Sequence, residues 1–156
     1  MKRLFTLIVM VVVIVGASTL GAIAGVKTIK PDELKPANST DTYVMFPNWV
    51  SSGSPTAGVQ LIAKVKLPVG KTVKKVTYYH RGNAGAYTYV MLQRFKMGED
   101  AEIISFADSH NTGNTHVTVE TTFANFPKIK SGYTYFIEVW CDNSNSYFEG
   151  VKITYK

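Results

Sequence analysis

Cysteine is nearly missing from this chain. Cys141 stands alone in 156 residues, so no disulfide can close within the sequence and stability must come from packing. The signatures of common chemistries are scarce too. No GxSxG elbow occurs, and nothing patterned around Cys141 would activate a thiolate. Glycoside hydrolysis needs two carboxyl groups held across a cleft with separated proton affinities. Here Glu99, Asp100 and Glu102 cluster in a hydrophilic turn, while Glu120, Glu138 and Glu149 stand singly on strand-like segments. The reading is a protein that is not an enzyme. Nor is there a dense basic run: 17 Lys and Arg side chains give a net charge of +6, but they are spread along the chain. Nucleic-acid binding calls for a concentrated stripe, so no nucleic-acid partner is expected, and mild basicity serves solubility.

One long apolar run is present, and it lies at the start. Met1-Lys2-Arg3 is basic, Leu4 to Val15 is apolar apart from Thr6, and Ala22-Ile23-Ala24 has the small-x-small form that signal peptidase reads. Residues 1–24 are expected to be a secretory signal, which makes the mature protein secreted, extracellular or held at the cell surface. The competing reading is an uncleaved anchor, since Leu4 to Val26 lacks charge and is long enough to span a bilayer. A membrane partner follows only in that case. Cleavage would remove Lys2 and Arg3 and leave a charge of +4, with 15 basic against 11 acidic side chains.

Residues 25–42, with "KTIKPDELKPANSTDT", hold two prolines and little apolar content, and read as an extended linker or arm. The remainder, 43–156, reads as one domain. Val59, Leu61, Ala63, Val65 and Leu67 are apolar at period two, the mark of a half-buried strand. Similar segments follow at Thr72–His80, Tyr87–Phe95, Glu102–Asp108, Thr115–Phe123, Tyr133–Cys141 and Tyr147–Tyr155, with a short one at Tyr43–Phe46. About eight strands separated by turn residues, without a helical period, predict an all-β antiparallel sandwich, jelly-roll-like in its connections. The last two strands, joined by "DNSNS", are expected to form a terminal hairpin.

Turn and packing features carry a resemblance. Leu67, Pro68 and Gly70 entering a strand, a strand ending in Arg94, Tyr133 with Tyr135, and a closing Gly150, Val151, Ile153 and Tyr155 are similar to a loosely defined set of secreted bacterial β-sandwich domains of unknown function. The similarity covers roughly residues 57–156. It implies a fold and an extracellular address, and transfers no catalytic residue.

Candidate sites come from the aromatics. If Tyr133, Tyr135, Ile137, Val139 and Cys141 face the core, Cys141 ends an apolar row as an inert buried thiol. The opposite face then carries Phe136 and Trp140. Displayed aromatics stack on sugar rings or mark interaction surfaces; alternatively the 27–50 segment, with Tyr43, Phe46 and Trp49, covers them in its own subunit or another's. Trp140, Phe136 and Trp49 are therefore the candidate ligand-binding residues. The function expected is binding or assembly outside the cell, with two specific versions: a carbohydrate-binding module with a polysaccharide partner, or a fibre subunit that donates its arm to like subunits. Asp108, His110 and Asp142 are candidate metal ligands. Asp108-x-His110-x-Thr112-Gly113 and Asp142-x-Ser144-x-Ser146 place oxygen donors at alternate positions as calcium requires, but neither completes the loop pattern. Asx turn chemistry is the leading account of both, and no cofactor is expected.

Overall fold

Alternation along the strands sorts side chains into an inner and an outer set, and two sheets close over the inner one. The computed structural model describes residues 24–83, 85–110, 113–122 and 128–156. The signal or anchor reading of residues 1–24 lies outside them except for Ala24. Among the described residues there are eleven strands: β1 (Gly25–Ile29), β2 (Lys35–Pro36), β3 (Tyr43–Phe46), β4 (Trp49–Ser52), β5 (Val59–Val65), β6 (Val73–Gly82), β7 (Tyr87–Phe95), β8 (Glu102–His110), β9 (Gly113–Thr122), β10 (Thr134–Cys141) and β11 (Ser146–Tyr155). All pairings are antiparallel. Sheet A runs β3-β4-β11-β6-β9, with β1 also on β11; sheet B runs β2-β5-β10-β7-β8. The all-β sandwich read from the sequence is the fold.

Inner residues of sheet B (Leu61, Val90, Leu92, Ile137, Val139) meet those of sheet A (Val50, Val76, Tyr78, Phe148, Val151, Ile153), and each of these is nearly or fully buried. Burial of side chains of this size stabilises by about 1.5–3 kcal/mol each before entropy is counted. Cys141 is fully buried and free, its thiol 3.9 Å from the Val50 carbonyl oxygen. Burial first, and the nearby Asp142 carboxylate second, push its pKa up to about 12, so the thiol stays protonated and inert.

Two sequence expectations change. Residues 25–36, read as linker, supply β1 and β2. Gly25–Ile29 pair with Tyr155–Val151, Lys35 and Pro36 pair with Ile62 and Leu61, and Ile29 and Leu34 enter the core. A bulge between Phe148 and Gly150 accommodates this docking. Gly150 has φ 150°, and a Cβ there would come within 3.2 Å of the Ile29 carbonyl oxygen, so a side chain would crowd the β1 backbone. The terminal hairpin is the second change. β10 pairs with β5 and β7, while β11 pairs with β1, β4 and β6, so "DNSNS" carries the chain from one sheet to the other. Both strands bring an apolar row to the interior, and facing sheets bury two such rows where neighbours in one sheet would only extend a single face.

Candidate functional site

The outer face of sheet B gathers side chains far apart in sequence, because register places them in rows. Trp140 on β10 lies between Gln60 on β5 and Tyr89 on β7, with Asp108 of β8 beyond Tyr89; the next row is Ile62, Glu138, Met91 and Phe106. Trp140 and Tyr89 form an offset pair of nearly parallel rings, 6.4 Å between centroids and 11° between planes. Phe106 packs against Tyr89 at 5.7 Å and Tyr87 meets it edge-on at 6.1 Å. Trp140, Tyr87 and Tyr89 are half-buried and Phe106 is 45% exposed. At the other end of the face, Phe136 and Phe95 meet edge to face at 6.2 Å. Gly58 makes the Trp140 pose possible, because a Cβ there would overlap the indole ring.

Glu138 sits in the middle of these rings, only 7% exposed. Its Oε1 accepts from Gln60 Nε2 at 2.7 Å and from the Tyr89 hydroxyl at 3.1 Å, and its Oε2 accepts from Gln93 Nε2 at 2.7 Å. A carboxylate so held is satisfied by neutral donors rather than by a cation. Burial, and then the Glu138 charge, push Tyr89 up to about 12, so its hydroxyl remains a donor at any physiological pH. The chemistry available is that of an aromatic platform with fixed amide and hydroxyl edges: it stacks on an apolar ring face and hydrogen-bonds around its rim.

Trp49 does not join Trp140 and Phe136. It lies on β4 in sheet A, on the far side of the sandwich, because β3 and β4 fold as a hairpin against β11. Residues 43–52 therefore do not cover the Trp140 face. Trp49 is enclosed by its own neighbours: Phe46 stacks at 4.2 Å, Tyr147 meets it edge-on at 4.8 Å, and the Arg81 guanidinium lies 6.0 Å from its ring and 5.0 Å from that of Tyr147. Arg81 in turn pairs with Glu149 at 3.3 Å, and Glu149 with His116 at 2.8 Å.

The metal candidates are placed less completely. The Asp108 carboxylate accepts from the Tyr87 hydroxyl at 3.4 Å, and Asp142 accepts from the Ser146 hydroxyl. The His110 side chain and Thr112 lie outside the described residues, and among those described no group of three acidic, His or Cys side chains has the geometry to hold an ion. Tyr89, Tyr87, Phe106, Gln60, Gln93, Glu138 and Gly58 were not singled out by sequence reasoning. The alternation of Tyr87, Tyr89 and Met91 along β7 was the available signal, but only the register of four strands shows that these residues share a surface with Trp140.

No family model and no curated protein matches the chain. Solved structures do match it in fold. The C-terminal CBM6 of LamC, a marine laminarinase from Zobellia galactanivorans, aligns over 83% of this chain and 99% of its own with a TM-score of 0.54 at 16% identity. The xylan-binding module CBM15 aligns over 83% and 97% with a TM-score of 0.50 at 14% identity. The N-terminal CBM22-1 and GH10 modules of Clostridium thermocellum xylanase 10B, solved with xylohexaose, align over 82% of this chain with a TM-score of 0.53 at 14% identity. This chain spans only 27% of that two-module chain. What these likenesses establish is the fold, a β-sandwich of the kind found in carbohydrate-binding modules.

Proposed function

We propose that this protein is a non-catalytic carbohydrate-binding module, and that it holds a polysaccharide on the outer face of sheet B. The observation that carries the reading is the Trp140–Tyr89 platform over the Glu138 carboxylate, which Gln60, Tyr89 and Gln93 fix in place. Sugar rings offer apolar faces to aromatic planes and hydroxyls to polar edges, and this face presents both in one row. The fold likeness to a xylan-binding module and to a xylanase module solved with xylohexaose supports the class of ligand. Hydrolysis is disfavoured by the arrangement of acids, since Glu138 already serves three protein donors and Asp108 serves Tyr87. The assembly reading has less support, because β1 occupies an edge of its own subunit's β11 rather than extending toward a neighbour. With the N-terminal apolar run, the proposed setting is outside the cell.

Affinity electrophoresis through gels containing neutral xylan, mixed-linkage β-glucan, galactan or laminarin tests the proposal. Retardation by at least one neutral polysaccharide, lost in Trp140→Ala and kept in Trp49→Ala, is the expected result. No retardation by any of the glycans, or equal loss in both variants, would sink it.

A further inference from the structure

A groove opens at the end of sheet B, between the loop that follows β5 and the turn that precedes β10. It encloses about 280 Å³, the small end of ligand pockets. Lys64, Lys66 and Lys130 line it together with Leu67, Ser131 and Tyr133, and no acidic side chain is part of the described lining. Among the described residues none of these lysines takes part in a salt bridge, whereas Lys27, Lys75 and Lys96 each do. Lysine ammonium groups brought together repel one another, and an anion in the groove relieves the part of that repulsion that Glu99, acting on Lys130 from beyond the lining, leaves.

A second observation points the same way. Arg94, 6% exposed as a residue, sets its guanidinium 5.1 Å from the centre of the Tyr133 ring, and Lys130 Nζ lies 5.8 Å from it. Glu102 engages Nε and Nη2 of Arg94, and the Tyr135 hydroxyl acts on the same guanidinium. The wall that carries Tyr133 is thus backed by a buried guanidinium. Glu99 is engaged by Lys96 at 2.7 Å, accepts from the Tyr133 hydroxyl at 3.4 Å and feels the Lys130 charge, so it offsets one of the three lysines only in part.

The groove is continuous with the proposed sugar face, because Lys64 is the register partner of Phe136. We propose that the Lys64–Lys66–Lys130 groove receives an anionic substituent, a carboxylate or a sulfate ester, of a polysaccharide lying along sheet B. The preferred ligand is then an acidic glycan rather than a neutral one. The inference rests on the carbohydrate-binding reading and adds the charge class of the ligand. No bond is made or broken. The lysines pair with the oxyanion while the chain continues toward Phe136 and Trp140.

The test compares a neutral xylan, polygalacturonate and a sulfated galactan by titration calorimetry at low and moderate salt, with the full chain, with Lys64→Gln/Lys66→Gln/Lys130→Gln, and with Trp140→Ala. Expected are binding of at least one acidic glycan about tenfold or more tighter than the neutral one, weakening of that preference as salt rises, and its loss in the triple glutamine variant with neutral binding unchanged. The acidic glycan that gains identifies the oxyanion as carboxylate or sulfate. Neutral and acidic glycans bound alike, or a preference that survives the triple variant, would overturn the groove while leaving the sheet B reading intact. A charge preference that depends on the lysines but not on Trp140 would keep the groove and remove the platform. Binding of none of the three glycans removes both. Thermal melting of the triple variant guards against misfolding, and Lys64→Arg/Lys66→Arg/Lys130→Arg should restore the preference.

Discussion

Trp49 and Trp140 are the only tryptophans of the chain, and they occupy opposite outer faces of one sandwich under contrasting conditions. On sheet A the indole of Trp49 is used up by the protein itself, stacked by Phe46, edged by Tyr147 and approached by Arg81. On sheet B, Trp140 runs offset and nearly parallel to Tyr89, beside a carboxylate in the next row that Gln60, Tyr89 and Gln93 satisfy. A similar inventory of aromatics, a charged group and hydroxyls therefore yields a self-contained brace in one place and the proposed binding surface in the other. What differs is the arrangement: Trp49 is stacked, edged and approached by a cation, whereas Trp140 runs alongside Tyr89 in a row of rings that crosses the outer face.

The comparison breaks most directly at the two indoles. Trp140→Ala should weaken polysaccharide binding by about 2–3 kcal/mol, close to two orders of magnitude in Kd, as expected for an aromatic anchor, with little change in melting temperature. Trp49→Ala should do the reverse, lowering stability by about 1–3 kcal/mol through lost ring packing. Calorimetric titration and thermal melting of both variants decide it.

Acid separates the faces in another way. His80 points into the sandwich from β6, fully buried, stacked on Tyr78 at 4.9 Å, with both ring nitrogens lacking a partner among the described residues. Burial lowers its pKa from 6.5 to about 4, and the nearby Glu149 opposes the shift without reversing it. The unfolded chain therefore takes up a proton below about pH 6.5 that the folded chain refuses until about pH 4. Stability should be full above that window and fall as pH drops through it, by at most about 3 kcal/mol. Urea denaturation as a function of pH reads this out, and His80→Phe should flatten the His80 part of the curve.

Glu138→Ala should cost about 1–3 kcal/mol of stability by stranding the Gln60 and Gln93 amides and should also weaken binding, since both amides would lose their orientation. Gly58→Ala should act on binding alone, by displacing the Trp140 indole, and intrinsic fluorescence would report the shift. The smallest effect is expected at His116→Ala: His116 meets Glu149 with its side chain 74% exposed, and loss of an exposed pair changes stability by less than about 1 kcal/mol.

Much of the sandwich was legible because alternation is a local signal. Val59 to Val65 and Tyr135 to Cys141 declare which side chains face inward, and the free, buried Cys141 follows from its place in that row. β1 and β2 were illegible for a physical reason: only Ile29 and Leu34 of a polar, proline-bearing stretch enter the core, and the pairing is imposed by β11 and β5 rather than by local propensity. The presumed terminal hairpin failed likewise, since "DNSNS" declares a turn but not whether the next strand joins the same sheet. The candidate site was half legible. Phe136 and Trp140 could be set on an outer face from their spacing, but nothing local assigns Trp49 and Trp140 to opposite faces of the sandwich, and the contribution of Gln60, Tyr89 and Gln93 exists only once β5, β10 and β7 are in register.

The position of β11 has a consequence for how the protein is made. Ser146–Tyr155 is the strand that joins β1, the β3–β4 hairpin and the β6–β9 pair into one sheet, although those partners leave the ribosome earlier, β1, β4 and β6 by many tens of residues. Sheet A cannot be completed until this segment has been synthesised, and its contacts span nearly the whole described sequence, a topology that folds slowly. During translation the apolar faces of β4 and β6 stay uncovered, so a nascent chain stalled before Ser146 should be held by chaperones or proteolysed, while one that has released Tyr155 closes both sheets together.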